Sequence, residues 1–216
     1  MTRRIDTRLV KITLTSILLV LGLGSAHAAV LLHGVAIATN TSPFNTTPIS
    51  NLTNRAGLSG SYTAGTDLVT YLATNPTEAG TAVANGYVAS QASGTFDFDL
   101  GSVVTLSHVI IWNTTSGASN RLGAFEVRIS NTSDFASSAL VGSFTAGASS
   151  AFPVAAEAFD VTDTLGRYVR ISGTSSGGNS LTFMEVGFAG VPEPSSALLA
   201  AISLAGAAFR RKRVVN

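Results

Sequence analysis

The 216-residue chain contains no cysteine, so neither disulfides nor thiolate metal sites can hold it together, and a folded domain must rest on packing alone. Lysine is almost as scarce. Lys11 and Lys212 are the only two, one near each end, and the body between them, residues 29–190, has none. Of 13 Lys and Arg, eight lie in the terminal segments, leaving Arg55, Arg121, Arg128, Arg167 and Arg170 in the body. Of 12 Asp and Glu, only Asp6 and Glu193 lie in those ends. The whole chain reads +1, but the body carries a formal charge of about −5. A body so poor in cations cannot neutralise phosphates, which excludes nucleic acid as a partner. Catalytic signatures are also missing: there is no His-Glu-x-x-His and no phosphate loop. His33 and His108 are the only histidines of the body. His108 lies between Ser107 and Val109 and reads as an outward-facing strand residue. No enzyme is expected. No internal repeat and no helical stripe of useful length appear.

What is present begins at the two ends. Arg3, Arg4, Arg8 and Lys11 precede an apolar run over 12–23, followed by Ala26-His27-Ala28. A basic region, an apolar core and a small-x-small site make a signal peptide over 1–28, cut by signal peptidase before Ala29. At the other end, Val191-Pro192-Glu193-Pro194 precedes an apolar run over 197–209 and then Arg210, Arg211, Lys212 and Arg213. With Ser196 the helix has about 14 residues and spans about 21 Å. A hydrocarbon core of about 30 Å needs about 20 residues, so this is a short membrane handle. The cations after it form a cytoplasmic stop. The two prolines break any helix continuing from the body. The order of motif, helix and basic stop over 191–216 resembles the PEP-CTERM sorting signal of Gram-negative bacteria that make extracellular polysaccharide. That resemblance implies an exosortase-like membrane protease as partner and cleavage near Pro194. It also implies transient residence in the inner membrane, then the cell surface or extracellular matrix.

The body is long enough for one domain with a real core. Gly, Ser, Thr, Asn and Ala dominate it, which suits short strands and turns. Residues 95–100 alternate apolar and polar, Gly101-Ser102 turns the chain, and 103–112 is rich in β-branched residues. In 124–130, Phe125, Val127 and Ile129 face in while Glu126 and Arg128 face out. Further strands are expected at 139–145, 156–161, 168–171 and 181–188, with a first strand within 30–39. Residues 62–73 and 83–88 read as loops with short strands. Strands at this spacing predict an all-β sandwich.

The order of these strands is similar to that of discoidin-type domains, the coagulation-factor C-type, galactose-binding-like jelly rolls. The similarity is carried by Phe96-Asp97-Phe98-Asp99-Leu100-Gly101, 106–113, 125–130, Gly166-Arg167-Tyr168-Val169-Arg170-Ile171 and Met184-Glu185-Val186. Residues 51–59 stand where that family has its first specificity loop. The terminal cysteine pair of many animal members is absent, and Asn54-Arg55-Ala56-Gly57 replaces the usual Asp-Gly. The resemblance implies a jelly-roll β-sandwich over 29–190 that binds carbohydrate.

A sugar site needs a stacking aromatic and planar polar groups on loops at one end of the sandwich. Trp112, Asn113 and Arg121 flank one loop, Tyr62 and Asp67 lie in another, and Asn179 in a third; Trp112 reads equally as a buried residue finishing its strand. Asp97 and Asp99 share a strand face and, with Glu185, are candidate calcium ligands. The competing account makes the aspartates a solvated strand face, with Asp99 bonding turn amides, and pairs Glu185 with Arg170 or Arg167. Two functions follow. One is a surface-displayed module that binds a glycan such as the cell's own extracellular polysaccharide. The other is a structural protein of the matrix or biofilm without a small ligand.

Overall fold

The computed structural model describes residues 28–191 except 45, 116, 149 and 150. The signal segment through Ala26, the sorting residues Pro192, Glu193 and Pro194, the apolar run and the basic stop at Arg210, Arg211, Lys212 and Arg213 lie outside the described residues. No helix among the described residues is long and apolar enough to cross a membrane.

Ten strands carry the domain: β1 (Val30–Leu32), β2 (Val35–Thr39), β3 (Thr77–Glu78), β4 (Tyr87–Val88), β5 (Ser93–Trp112), β6 (Leu122–Ser130), β7 (Ser138–Thr145), β8 (Val154–Ser175), β9 (Thr182–Phe183) and β10 (Glu185–Val191). The expected strands at 95–100 and 103–112 are one bent strand, β5, and those at 156–161 and 168–171 are another, β8. The two pair antiparallel along their length, with the register broken between Asp99 and Val104. Gly101 sits at that break with φ 81°, a left-handed backbone that glycine adopts without strain. Asp99 Oδ1 accepts the Gly101 amide at 2.8 Å and fixes the bend.

The bend lets each long strand serve two layers. The first half of β5 lies between β2 and the second half of β8, which continues to β6 and β7. The second half of β5 lies between β10 and the first half of β8, with β1 on the far side of β10. The layers face each other: Phe98 of the first meets Phe188 of the second, ring centroids 5.1 Å apart. Period-2 alternation supplies the core, with Phe96, Phe98, Val109, Ile111, Val127, Ile129, Val169 and Ile171 all buried.

A second, smaller core lies on the opposite face of the β10 layer. Ile110 and Trp112, one step out of phase with the main core, are covered there by Tyr62, Leu68 and Tyr71. The cover includes helix α1 (Leu68–Ala73), where loop with short strands was expected. Asp67 starts α1 by accepting the Thr70 amide at 2.8 Å. Residues 83–88 likewise hold helix α2 (Ala82–Asn85) and then β4. Hydrophobic periodicity could not flag helices of six and four residues, which span less than two turns.

Candidate functional site

The loop residues expected to bind sugar are mostly built into the fold. Trp112 is fully buried, and its Nε1 donates to the Pro76 carbonyl at 3.2 Å, so it offers no stacking face. Asn113 is a clasp: its amide donates to the Leu122 and Gly147 carbonyls at 2.9 and 3.1 Å. Its Oδ1 accepts the amides of Thr114 and Leu122. Tyr62 is buried edge-on against Tyr71, and burial pushes its hydroxyl pKa up. Asp67 is the helix cap, its carboxyl held below the usual range by its bond to Thr70. Asn113, Tyr62 and Asp67 are corrected as sugar contacts, and of the two readings of Trp112 the buried one is observed. Their loops are covered by neighbouring segments, which sequence periodicity does not report. Arg121 and Asn179 lie on adjacent loops, joined where the Ser176 amide bonds the Arg121 carbonyl at 2.9 Å; Asn179 is exposed.

The calcium expectation is corrected for Asp97 and Asp99. Both are taken by guanidinium groups in two-pronged ion pairs, Asp97 with Arg170 at 2.7 and 2.8 Å and Asp99 with Arg167 at 2.8 and 2.8 Å. The Arg167 contact, with the Gly101 amide, holds the Asp99 carboxyl below the usual range. Glu185 lies opposite Trp112 in the other layer, fully buried, and pairs with neither arginine. Its Oε1 accepts the backbone amide of Arg55 at 3.0 Å. No group of three or more acid or histidine side chains among the described residues could hold a metal.

Sequence reading missed a second buried acid. Glu78, on β3, is also fully buried, and the Asn85 amide donates to its Oε1 at 3.2 Å. The loop Arg55–Gly57 ties the two acids together. A Cβ on Gly57 (φ 87°) would collide with the Glu78 carboxylate, the Asn85 amide and the Ala79 carbonyl. Glu78 Oε2 and Glu185 Oε2 are buried without partners. An ionised carboxylate in such a place is costly. Burial accordingly raises Glu78 to about 7, and burial with the charge of Glu78 raises Glu185 to about 8. The chemistry that fits is proton uptake. Only Gly57 hinted at this in the sequence, as a residue free to take a left-handed turn.

The accessible concave feature lies elsewhere, on the outer face of the β2–β5–β8–β6–β7 layer. There the register aligns Thr95, Ser172, Glu126 and Ser143 in one row across four strands. Around Glu126 the row is low because Thr95, Ser172 and Ser143 are small. A groove of about 520 Å³ opens over it, flanked by Asn40 and Thr174. Asn40, which is exposed, accepts the Thr95 amide at its Oδ1 at 2.7 Å. The next row is taller and charged: Asp97, Arg170 and Arg128 lie side by side, with the Arg170 guanidinium 4.1 Å from the Phe135 ring centroid. Volume and lining fall within the range of small-molecule sites, and the groove is open rather than enclosed. The strand alternation showed that Glu126 and Arg128 face out; which outward residues share a row depends on register, which the sequence does not print.

Residues 190–213 match the PEP-CTERM protein-sorting motif. No curated protein matches the chain. Among solved structures, the fold is that of family 32 carbohydrate-binding modules. The family 32 module of Clostridium perfringens NanJ, solved with galactose, is 12% identical, with a TM-score of 0.50 over 75% of this chain and 99% of that one. A module from a Clostridium perfringens family 31 glycoside hydrolase is 10% identical, with a TM-score of 0.50 over 73% and 91%. The paired modules of Clostridium perfringens ZmpB, solved with GalNAc, are 13% identical, with a TM-score of 0.50 over 74% and 35%. At these identities the likeness establishes the jelly-roll fold.

Proposed function

We propose that this protein is a non-catalytic carbohydrate-binding domain displayed on the cell surface, where it holds extracellular polysaccharide. The sorting motif over 190–213 marks an exported, exosortase-processed surface protein. The observation that carries the binding reading is the groove on the β2–β5–β8–β6–β7 layer. Its outward groups are hydroxyls, one amide and one carboxylate, the donors and acceptors that sugar hydroxyls need. The three Clostridium perfringens modules named above share the fold, and two were solved with galactose or GalNAc bound. The apolar tail would hold the chain in the inner membrane only until the protease acts.

The test is affinity electrophoresis of the purified protein through gels containing single polysaccharides. Saturable retardation by at least one of them supports the binding reading. Unretarded migration in all of them sinks it and leaves a structural matrix protein without a ligand.

A further inference from the structure

We infer that the groove takes an internal stretch of an uncharged, hydroxyl-rich glycan chain running across the strands, with Glu126 as the central hydroxyl acceptor. The inference rests on the binding reading above and specifies its ligand.

Three features of the groove carry it. The first is shape. The trough crosses from Asn40, just past β2, to β7, four strand spacings or about 19 Å, and it is open to solvent rather than closed. An enclosed pocket selects a chain end; an open trough admits a chain that continues past both sides. The second is charge. Glu126 is the only ionisable residue lining the groove, it is exposed, and it stands in the middle of the row. Two cations stand in the adjoining row: Arg170 is committed to Asp97 at 2.7 and 2.8 Å and lies against Phe135, and Arg128, two residues along β6 from Glu126, lies outside the residues that line the groove. A polyuronate or sulfated chain would therefore meet an anion at the centre of the site. A neutral chain offers hydroxyl donors that a carboxylate accepts in charge-assisted bonds.

The third is the absence of a stacking face among the lining residues. Phe125 is buried and Phe144 half-buried in the groove wall, each packed against Phe159 with centroids 5.0 and 5.2 Å apart, so neither ring stands free over the row. Binding must then come from many hydroxyl contacts, which favours length over a single well-held sugar. Individual sites of this kind bind weakly. Copies displayed side by side on one surface would add up by multivalency.

The experiment uses the full chain, purified in detergent, in gels of neutral galactomannan, neutral dextran or alginate, a polyuronate. Galactomannan oligosaccharides of increasing length serve as competitors. Three variants accompany the wild type: Glu126→Gln, Ser172→Phe to fill the trough, and Asp163→Asn as a surface control, with thermal unfolding checked for each. We expect retardation by a neutral polysaccharide at least about tenfold stronger than by alginate, with longer oligosaccharides competing better than monosaccharides. Glu126→Gln should weaken neutral binding about tenfold, the worth of one charge-assisted hydrogen bond, and narrow the gap to alginate. Ser172→Phe should abolish retardation while unfolding at the wild-type temperature.

Alginate binding equal to or stronger than neutral binding overturns the ligand class, as does competition by monosaccharides alone. Neutral binding untouched by both groove variants overturns the site while the surface-binding reading stands. No retardation of wild type by any polysaccharide overturns both.

Discussion

Replacing Glu185 by Gln should change the pH dependence of stability more than stability itself. Burial, with help from the charge of Glu78, raises this carboxyl from 4.5 to about 8. An acid with a raised folded pKa binds more protons folded than unfolded between the two values. Its folded state is therefore favoured below about pH 4.5 and loses that advantage as pH climbs toward 8. A shift of this size has a ceiling of about 5 kcal/mol, and water entering around the Arg55–Gly57 loop would relieve part of it, so we expect a loss of about 2 to 3 kcal/mol between pH 5 and pH 8.5. For a domain of this length 1 kcal/mol moves Tm by about 2–4 °C, giving a fall of roughly 4–12 °C. The variant keeps the shape and the acceptor for the Arg55 amide but cannot ionise. Its Tm should fall less steeply than that of the wild type, the remaining slope coming from Glu78, and exceed the wild-type value at pH 8.5. Thermal unfolding followed by circular dichroism, in chelator, at steps between pH 5 and 9 reads both curves. A wild-type Tm that is flat or rising through this window, or equal slopes for the two proteins, would refute the reasoning. A large rise in wild-type Tm on adding calcium at pH 8, absent in the variant, would refute it differently: the carboxylate would then be serving a cation.

Further perturbations test the packing. Trp112→Ala should cost about 3–5 kcal/mol in chemical denaturation, because the ring is fully buried and bonded to Pro76; a stable variant that loses only glycan binding would mean the ring is exposed after all. Gly57→Ala should destabilise by about 2 kcal/mol or more, since both its left-handed backbone and the Glu78 carboxylate against it resist a Cβ; an unfolding midpoint within error of wild type would contradict that. The Asp99–Arg167 pair works in the opposite pH direction from Glu185. Its lowered carboxyl adds stability above the unfolded pKa that is lost as pH falls through the folded one. The pair is partly exposed, so Asp99→Asn should cost under about 1 kcal/mol at pH 7. For the tail, mass spectrometry of protein recovered from the cell surface should find a C-terminus near Pro194, and an intact terminus at Asn216 would contradict processing.

Sequence periodicity revealed the strands well because strands declare which face they bury. The alternation in 124–130 is reproduced residue by residue in β6, with Phe125, Val127 and Ile129 buried and Glu126 exposed. It revealed the site poorly, because the same alternation cannot say what lies above an outward residue. Trp112 is out of phase with the main core, which left an exposed and a buried reading equally open. In fact the excursion over residues 54–76, carrying Tyr62, Leu68 and Tyr71, covers it. Glu78 is not singled out by the sequence, because nothing in its neighbours announces that Gly57 and Asn85 close over it. The groove is the clearest case. Thr95, Ser172, Glu126 and Ser143 are far apart in the chain and small or polar, and only strand register makes them one surface.

The topology also relates the groove to the end of the chain that sorting acts on. β10 runs from Glu185 opposite Trp112 to Val191 opposite Thr105, so it leaves the sandwich at the end where Gly101 bends β5. β1 starts at that same end, with Val30 opposite Gly190. The groove row at Thr95 lies six residues before the bend, about 20 Å along the strand and toward the opposite end. Val191, the last paired residue, immediately precedes Pro192. A protein held by residues beyond Val191 therefore presents the groove away from its point of attachment, with no long spacer between domain and motif. This polarity follows from the register of two strands and requires no particular arrangement of the tail. Under the proposed function, this polarity would let the groove face polysaccharide while residues beyond Val191 engage the sorting protease.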